Sequence, residues 1–106
     1  MNDVKIQNKL TNLANALTRL QEVCAATPDA KNFVIDAAIQ RFEFCYELFW
    51  KTLKALLEKE GIETTTPKNV LQAAYQAQWL DDENLWLQML LDRNTTSHVY
   101  NEEEAL

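Results

Sequence analysis

Residues 28–61, PDAKNFVIDAAIQRFEFCYELFWKTLKALLEKEG, decide the fold. Nothing between the opening Pro28 and the closing Gly61 breaks a helix. Thr27 before Pro28 reads as an N-cap with proline in the first turn, and Gly61 as the C′ residue, so a helix is predicted from about Pro28 to Glu60. At about 100° per residue, Ile35, Ala38, Ile39, Phe42, Cys45, Tyr46, Phe49, Leu53, Leu56 and Leu57 form one broad apolar stripe, with Trp50 at its edge. Phe33, Ala37, Phe44, Leu48 and Ala55 gather on the opposite side. Two apolar faces on one helix have two explanations: a central helix covered by its own chain, or a surface for a second copy or a partner.

Working outward, Ile6, Leu10, Leu13, Leu17, Leu20 and Cys24 fall at steps of three and four, predicting a first helix from about Asp3 to Cys24. On the other side, Thr66–Pro67 starts a third helix with Val70, Leu71, Ala74 and Tyr75 inward. Asp81 or Asp82 then caps a fourth, lined by Leu85, Trp86, Met89, Leu90 and Arg93. Asn94-Thr95-Thr96-Ser97 reads as a polar interruption, and Asn101 before Glu102-Glu103-Glu104 as the cap of a fifth helix. The expected architecture is all-α: one domain over residues 1–106, an up-and-down four-helix bundle with a fifth helix truncated or absent.

Composition agrees and narrows the function. With one glycine in 106 residues the chain lacks the turn chemistry of sheet folds, and also the glycine clusters of P-loops and dinucleotide-binding turns. One histidine and two cysteines do not make a four-ligand zinc site, and no metal or other cofactor is expected. Cys24 and Cys45 lie in apolar stripes and read as buried, reduced thiols, although sequence alone allows a disulfide. The polar N-terminus MNDVKIQNKL and the absence of a long apolar run point to the cytoplasm and away from membranes. The net charge of −6 lies entirely in residues 79–106, where seven acids face Arg93 alone, while residues 1–78 hold nine acids and nine bases. That imbalance opposes non-specific binding of phosphate backbones.

The chemically suggestive stretch is Arg93-Asn94-Thr95-Thr96-Ser97-His98-Val99-Tyr100. A fixed guanidinium with a titratable imidazole suits metal-free phosphodiester cleavage. His98 moves a proton near neutral pH and Arg93 stabilises charge on phosphate oxygens, with Asn94 and Ser97 in support. Taken alone the spacing is weak, and a surface histidine beside an arginine capping the last carbonyls of its helix is the simpler explanation.

R-x4-H followed by x-Y resembles the signature of HEPN domains, and two further stretches resemble one branch of that superfamily, the nucleotidyltransferase substrate-binding proteins. One is Gln40-Arg41-Phe42-Glu43-Phe44 continuing through Glu47-Leu48-Phe49-Trp50-Lys51-Thr52-Leu53-Lys54 to Glu60-Gly61. The other is Pro67-Lys68-Asn69-Val70-Leu71, Ala73, Leu85-Trp86 and Met89-Leu90 leading into Asp92-Arg93-Asn94. Such proteins continue through a full C-terminal helix, whereas here only its first turn is expected.

The resemblance implies a bundle that dimerises and sets two R-x4-H motifs near one cleft, with a minimal nucleotidyltransferase as partner. It makes Tyr100 the acceptor of a nucleotide attached by that partner. Phe33, Ala37, Phe44 and Leu48 are the candidate dimer or partner interface. Three functions follow: a helical partner or substrate-binding subunit of a nucleotidyltransferase in a toxin–antitoxin-type pair, a metal-independent endoribonuclease acting on RNA through Arg93 and His98, and a non-catalytic structural bundle. The local acidity favours the first over the second.

Overall fold

The computed structural model describes residues 3–27, 29 and 32–105, with side chains described up to residue 95. Four helices follow one another: α1 (Asp3–Cys24), α2 (Phe33–Lys59), α3 (Pro67–Gln76) and α4 (Glu83–Ala105), with no strand among the described residues. The architecture is the expected all-α four-helix bundle.

The helix ends show local chemistry at work. The Gly61 N–H donates to Glu58 O (3.0 Å) and Ile62 N–H to Leu57 O (2.8 Å), with Gly61 at φ +82°, so α2 closes in a Schellman turn on its glycine. Thr66 Oγ1 accepts from the Asn69 N–H (3.2 Å) and Asp82 Oδ1 from the Leu85 N–H (3.1 Å), which are the predicted caps of α3 and α4. The start of α2 differs from expectation. Asn32 takes the left-handed conformation (φ 60°), and Asp29 Oδ1 accepts from the Val34 N–H (3.1 Å), so the helix begins at Phe33. The expected first-turn residue, Pro28, lies outside the described residues.

The fourth helix also differs. No break occurs at Asn94–Ser97 and no separate fifth helix forms; α4 runs unbroken to Ala105. Asn, Thr and Ser cost only about 0.5 kcal/mol each against alanine in a helix interior, whereas stopping and nucleating again costs more. Neither glycine nor proline lies in the stretch.

The core forms where α2 meets α3 and α4. Leu57, Val70, Leu71 and Ala74 are fully buried, with Tyr46 and Leu53 beside them. Phe49 stacks on Trp86 (centroids 4.6 Å, 18° between planes) and meets Tyr46 edge-on at 6.1 Å. Among the described residues α1 packs on α2 alone, antiparallel to it, tied by Lys59 to Asp3 (2.7 Å) and by Arg41 Nη1 donating to Arg19 O (2.8 Å). It does so through Ile6, Ala16 and Val23, leaving Leu10, Leu17 and Cys24 exposed. The buried stripe is therefore rotated from the predicted one: small Ala16 lets the two backbones approach, and the leucine edge turns toward an open groove. That groove, of about 320 Å³, separates α1 from α4 and is floored by Phe42, Tyr46 and Phe49. A radius of gyration of 15.4 Å, against about 13 Å for a compact chain of this length, reflects the elongation of the bundle, 49 × 26 × 25 Å along its principal axes.

Other expected core positions are also open to solvent: Ile35, Tyr75 and Leu85. On the second face of α2, Ala55 is covered by α1, but Phe33 and Phe44 stay 63% and 61% exposed, with Ala37 and Leu48 half-buried. No helix of the described residues is long and apolar enough to cross a membrane.

Candidate functional site around Arg93

Arg93 stands on α4 beyond Trp86, Met89 and Leu90, the residues that dock this helix on the core. A half-buried guanidinium there needs an anion. Glu47 of α2 provides it, with Oε2 at 2.5 Å from Nη2. Nη1 donates to Asn94 Oδ1 (3.0 Å), and Nε is buried with no partner among the described residues. The same Glu47 Oε2 accepts from the Trp50 indole N–H (3.0 Å), while Oε1 pairs with Lys51 Nζ at 3.2 Å. One carboxylate thus holds two cations and an indole in place. Next to it, the Tyr46 hydroxyl donates to Trp86 O (3.0 Å), tying α2 to α4 at the start of the site. Burial pushes the Tyr46 pKa up to about 12, against the opposing pull of the Arg93 charge, so this phenol is a donor and never a base at working pH.

Partial burial by itself raises the Glu47 pKa. The hydrogen bonds from Trp50 and Lys51 and the charges of Arg93 and Lys51 outweigh it, and hold the carboxyl below its ordinary 4.5. A folded-state pKa below the unfolded one stabilises the protein above the unfolded value, and this stabilisation is lost as pH falls through the folded one. Glu47→Gln is therefore expected to be less stable than wild type at neutral pH, with the difference shrinking below about pH 4.5. Urea titrations of both proteins from pH 7 to about pH 3 measure this; a constant difference would contradict it.

The continuity of α4 orders the rest of the motif. With about 100° per residue, Ser97, Asn94 and His98 follow Arg93 around the helix at about 40°, 100° and 140°, so the four positions share one arc. Tyr100 lies about 20° to the other side of the Arg93 line and about 10 Å further along the axis. The side chains of Ser97, His98 and Tyr100 lie outside the described residues.

Sequence reasoning gives Glu47, Trp50 and Lys51 no role beyond carrying the resemblance. Their i+3 and i+4 spacing is legible on a helix. The contact with Arg93, across 46 residues, is not. Phe44 lies one turn before Glu47, so the uncovered apolar face adjoins the Arg93 site.

The all-helical bundle thus sets a half-buried α2 carboxylate against the α4 arginine that heads the R-x4-H stretch, the stretch by which the sequence resembles HEPN domains. The chain belongs to the nucleotidyltransferase substrate-binding protein family: residues 8–106 match the family described as "Nucleotidyltransferase substrate binding protein like". A curated relative from Haemophilus influenzae (strain ATCC 51907 / DSM 11121 / KW20 / Rd), named "Probable ribonuclease HepT", is 36% identical over 78 residues. The match covers 69% of this chain and 53% of that protein, so the chain spans about half the relative's length. The crystal structure of ttk003001694 from Thermus thermophilus superposes with a TM-score of 0.73 at 43% identity, covering 86% of this chain and 78% of that one.

Proposed function

We propose that this chain is the cytoplasmic helical subunit that pairs with a minimal nucleotidyltransferase in a two-component, toxin–antitoxin-type system. The observation that carries this reading is the uncovered Phe33–Phe44 face of α2 beside the Arg93 site. Aromatic side chains left this exposed on a small domain mark a surface meant for another protein. The family's description supplies the partner's chemistry. In this reading Tyr100 accepts a nucleotidyl group. Its hydroxyl attacks the α-phosphorus of ATP on the partner, pyrophosphate leaves, and the phenolic proton passes to solvent. Co-expression with a small nucleotidyltransferase is expected to give a complex that survives affinity purification. With ATP and magnesium the chain gains mass in nucleotidyl steps, and Tyr100→Phe does not. Modification that persists in Tyr100→Phe would remove this role.

A second copy of this chain is the other occupant that the face fits. An interface on Phe44, with Ala37 and Leu48 at its sides, brings two Glu47–Arg93 pairs close together, since Phe44 and Glu47 are one turn apart. Phe44→Glu is expected to give a helical monomer by light scattering. A wild-type chain that is already monomeric at high micromolar concentration contradicts the dimer.

The ribonuclease reading is the alternative, favoured by the arc that Arg93, Asn94, Ser97 and His98 share and by the name of the Haemophilus relative. In this chemistry His98 takes the proton of a ribose 2′-OH, and the 2′-oxygen attacks phosphorus. The P–O5′ bond then breaks, and the departing oxygen is protonated from solvent. Arg93 neutralises the phosphate oxygens, at the expense of its contact with Glu47.

A further inference from the structure

The uncovered face of α2 carries charge as well as apolar surface. Beside Phe44, a pocket of about 250 Å³ is lined by Gln40 and Arg41 of α2 and by Ala16 and Arg19 of α1. Ala16, 5% exposed, lets α1 lie close on α2. Arg41 Nη1 donates to Arg19 O (2.8 Å), which fixes the Arg41 guanidinium across the two helices. Arg19 and Arg41 are two of the chain's three arginines. Four other cations take a carboxylate: Arg93 and Lys51 share Glu47, Lys54 has Glu58 and Lys59 has Asp3. Neither Arg19 nor Arg41 pairs with a carboxylate among the described residues, although the chain holds sixteen acids against ten bases. The surplus of acid, in residues 79–106, lies on and before α4, which packs on α2 through Tyr46 and Glu47 and not through Arg41.

We propose that this face receives an acidic segment of the partner protein, its carboxylates held by Arg19 and Arg41 and an apolar side chain set between them on Phe44. The inference rests on the pairing reading above and names the chemistry of the surface that the partner presents. A guanidinium takes a carboxylate through two parallel hydrogen bonds, and arginines beside an exposed aromatic ring are what the centres of protein contacts are made of. A free nucleotide offers oxygens to the same arginines but leaves the rest of the face bare. From Phe33 to Leu48 that face runs about 22 Å along α2, the reach of a protein surface. Charge also separates the two proteins that the apolar surface fits. Arg41 lies within one turn of Phe44, so a two-fold axis through Phe44 sets the arginine couples of two copies beside each other. Like charges brought together across an interface oppose it, and an acidic partner removes the mismatch.

Arg19→Glu tests this in the whole chain, because the Arg19 side chain is exposed and the hydrogen bond that Arg41 donates ends on its backbone carbonyl. Affinity for a purified minimal nucleotidyltransferase is measured by titration calorimetry across a sodium chloride series, and the mass of each chain alone by light scattering. The variant is expected to bind at least about tenfold more weakly at low salt and with a flatter salt dependence, its helicity unchanged by circular dichroism. Equal affinity and salt dependence would overturn the proposal while leaving the pairing intact. Tighter binding by the variant would do the same, since the partner's surface would then be basic. A wild-type chain that dimerises and a variant that does not would make a second copy the occupant, which also overturns it. No binding by the wild-type chain removes the pairing and this inference together.

Discussion

Arg93→Ala and His98→Ala are each expected to lower RNA cleavage at least about a hundredfold, the scale for losing a charge stabiliser or a general base. Wild-type cleavage is expected to persist in EDTA and to leave 2′,3′-cyclic phosphate or 3′-phosphate ends, because the nucleophile is the substrate's own 2′-OH. The two variants differ in what else they disturb. His98→Ala places a better helix former inside α4 and removes none of the contacts described around Glu47. Arg93→Ala strips Glu47 of its closest partner and is expected to lose stability as well. Cleavage of total RNA should therefore be compared first between wild type and His98→Ala, with chelator and without partner. Equal rates would exclude His98 from the reaction, and no cleavage by either would leave the chain a binding subunit.

The largest effect on stability is expected at Leu57. Its side chain is fully buried at the junction of α2 and α3, within the cluster of Leu53, Val70, Leu71 and Ala74. Leu57→Ala removes that packing from a chain with few alternative core residues, and costs about 2–5 kcal/mol. Against the roughly 5–15 kcal/mol that holds a domain together, this is a large share, lowering Tm by about 10 °C or more. Leu10→Ala is the control: Leu10 lies on the exposed edge of α1, and its loss is expected to be felt weakly. Similar losses for the two in thermal melts would put the core on the wrong side of α2.

What the sequence made legible was whatever depends on neighbours along the chain. Thr66–Pro67, Asp82 and Gly61 mark helix ends through one side chain or one φ angle, and the bounds of α1 follow from spacing alone. The start of α2 departs from its sequence signal because a left-handed Asn32 and the Asp29 cap outweigh a proline five residues earlier. The polar run Asn94–Ser97 resembles a loop in composition, yet its residues differ from helix formers by only a few tenths of a kcal/mol each, and α4 continues. The difference matters for the site, since only an unbroken helix lays Arg93, Ser97, Asn94 and His98 on one arc. The Glu47–Arg93 contact was out of reach for another reason: it forms between helices after α2 and α4 have docked, and no local pattern encodes it. The rotation of α1, which buries Ala16 rather than Leu17, is likewise a matter of how closely two backbones approach.

The pairing with a minimal nucleotidyltransferase proposed above can be measured directly. The most direct measurement is size-exclusion chromatography with light scattering on the purified chain, a purified minimal nucleotidyltransferase, and their mixture. One new peak is predicted, with a mass that both proteins contribute to, and it is weakened when Phe44→Glu replaces the wild-type chain. Two unchanged peaks at micromolar concentration would contradict the account.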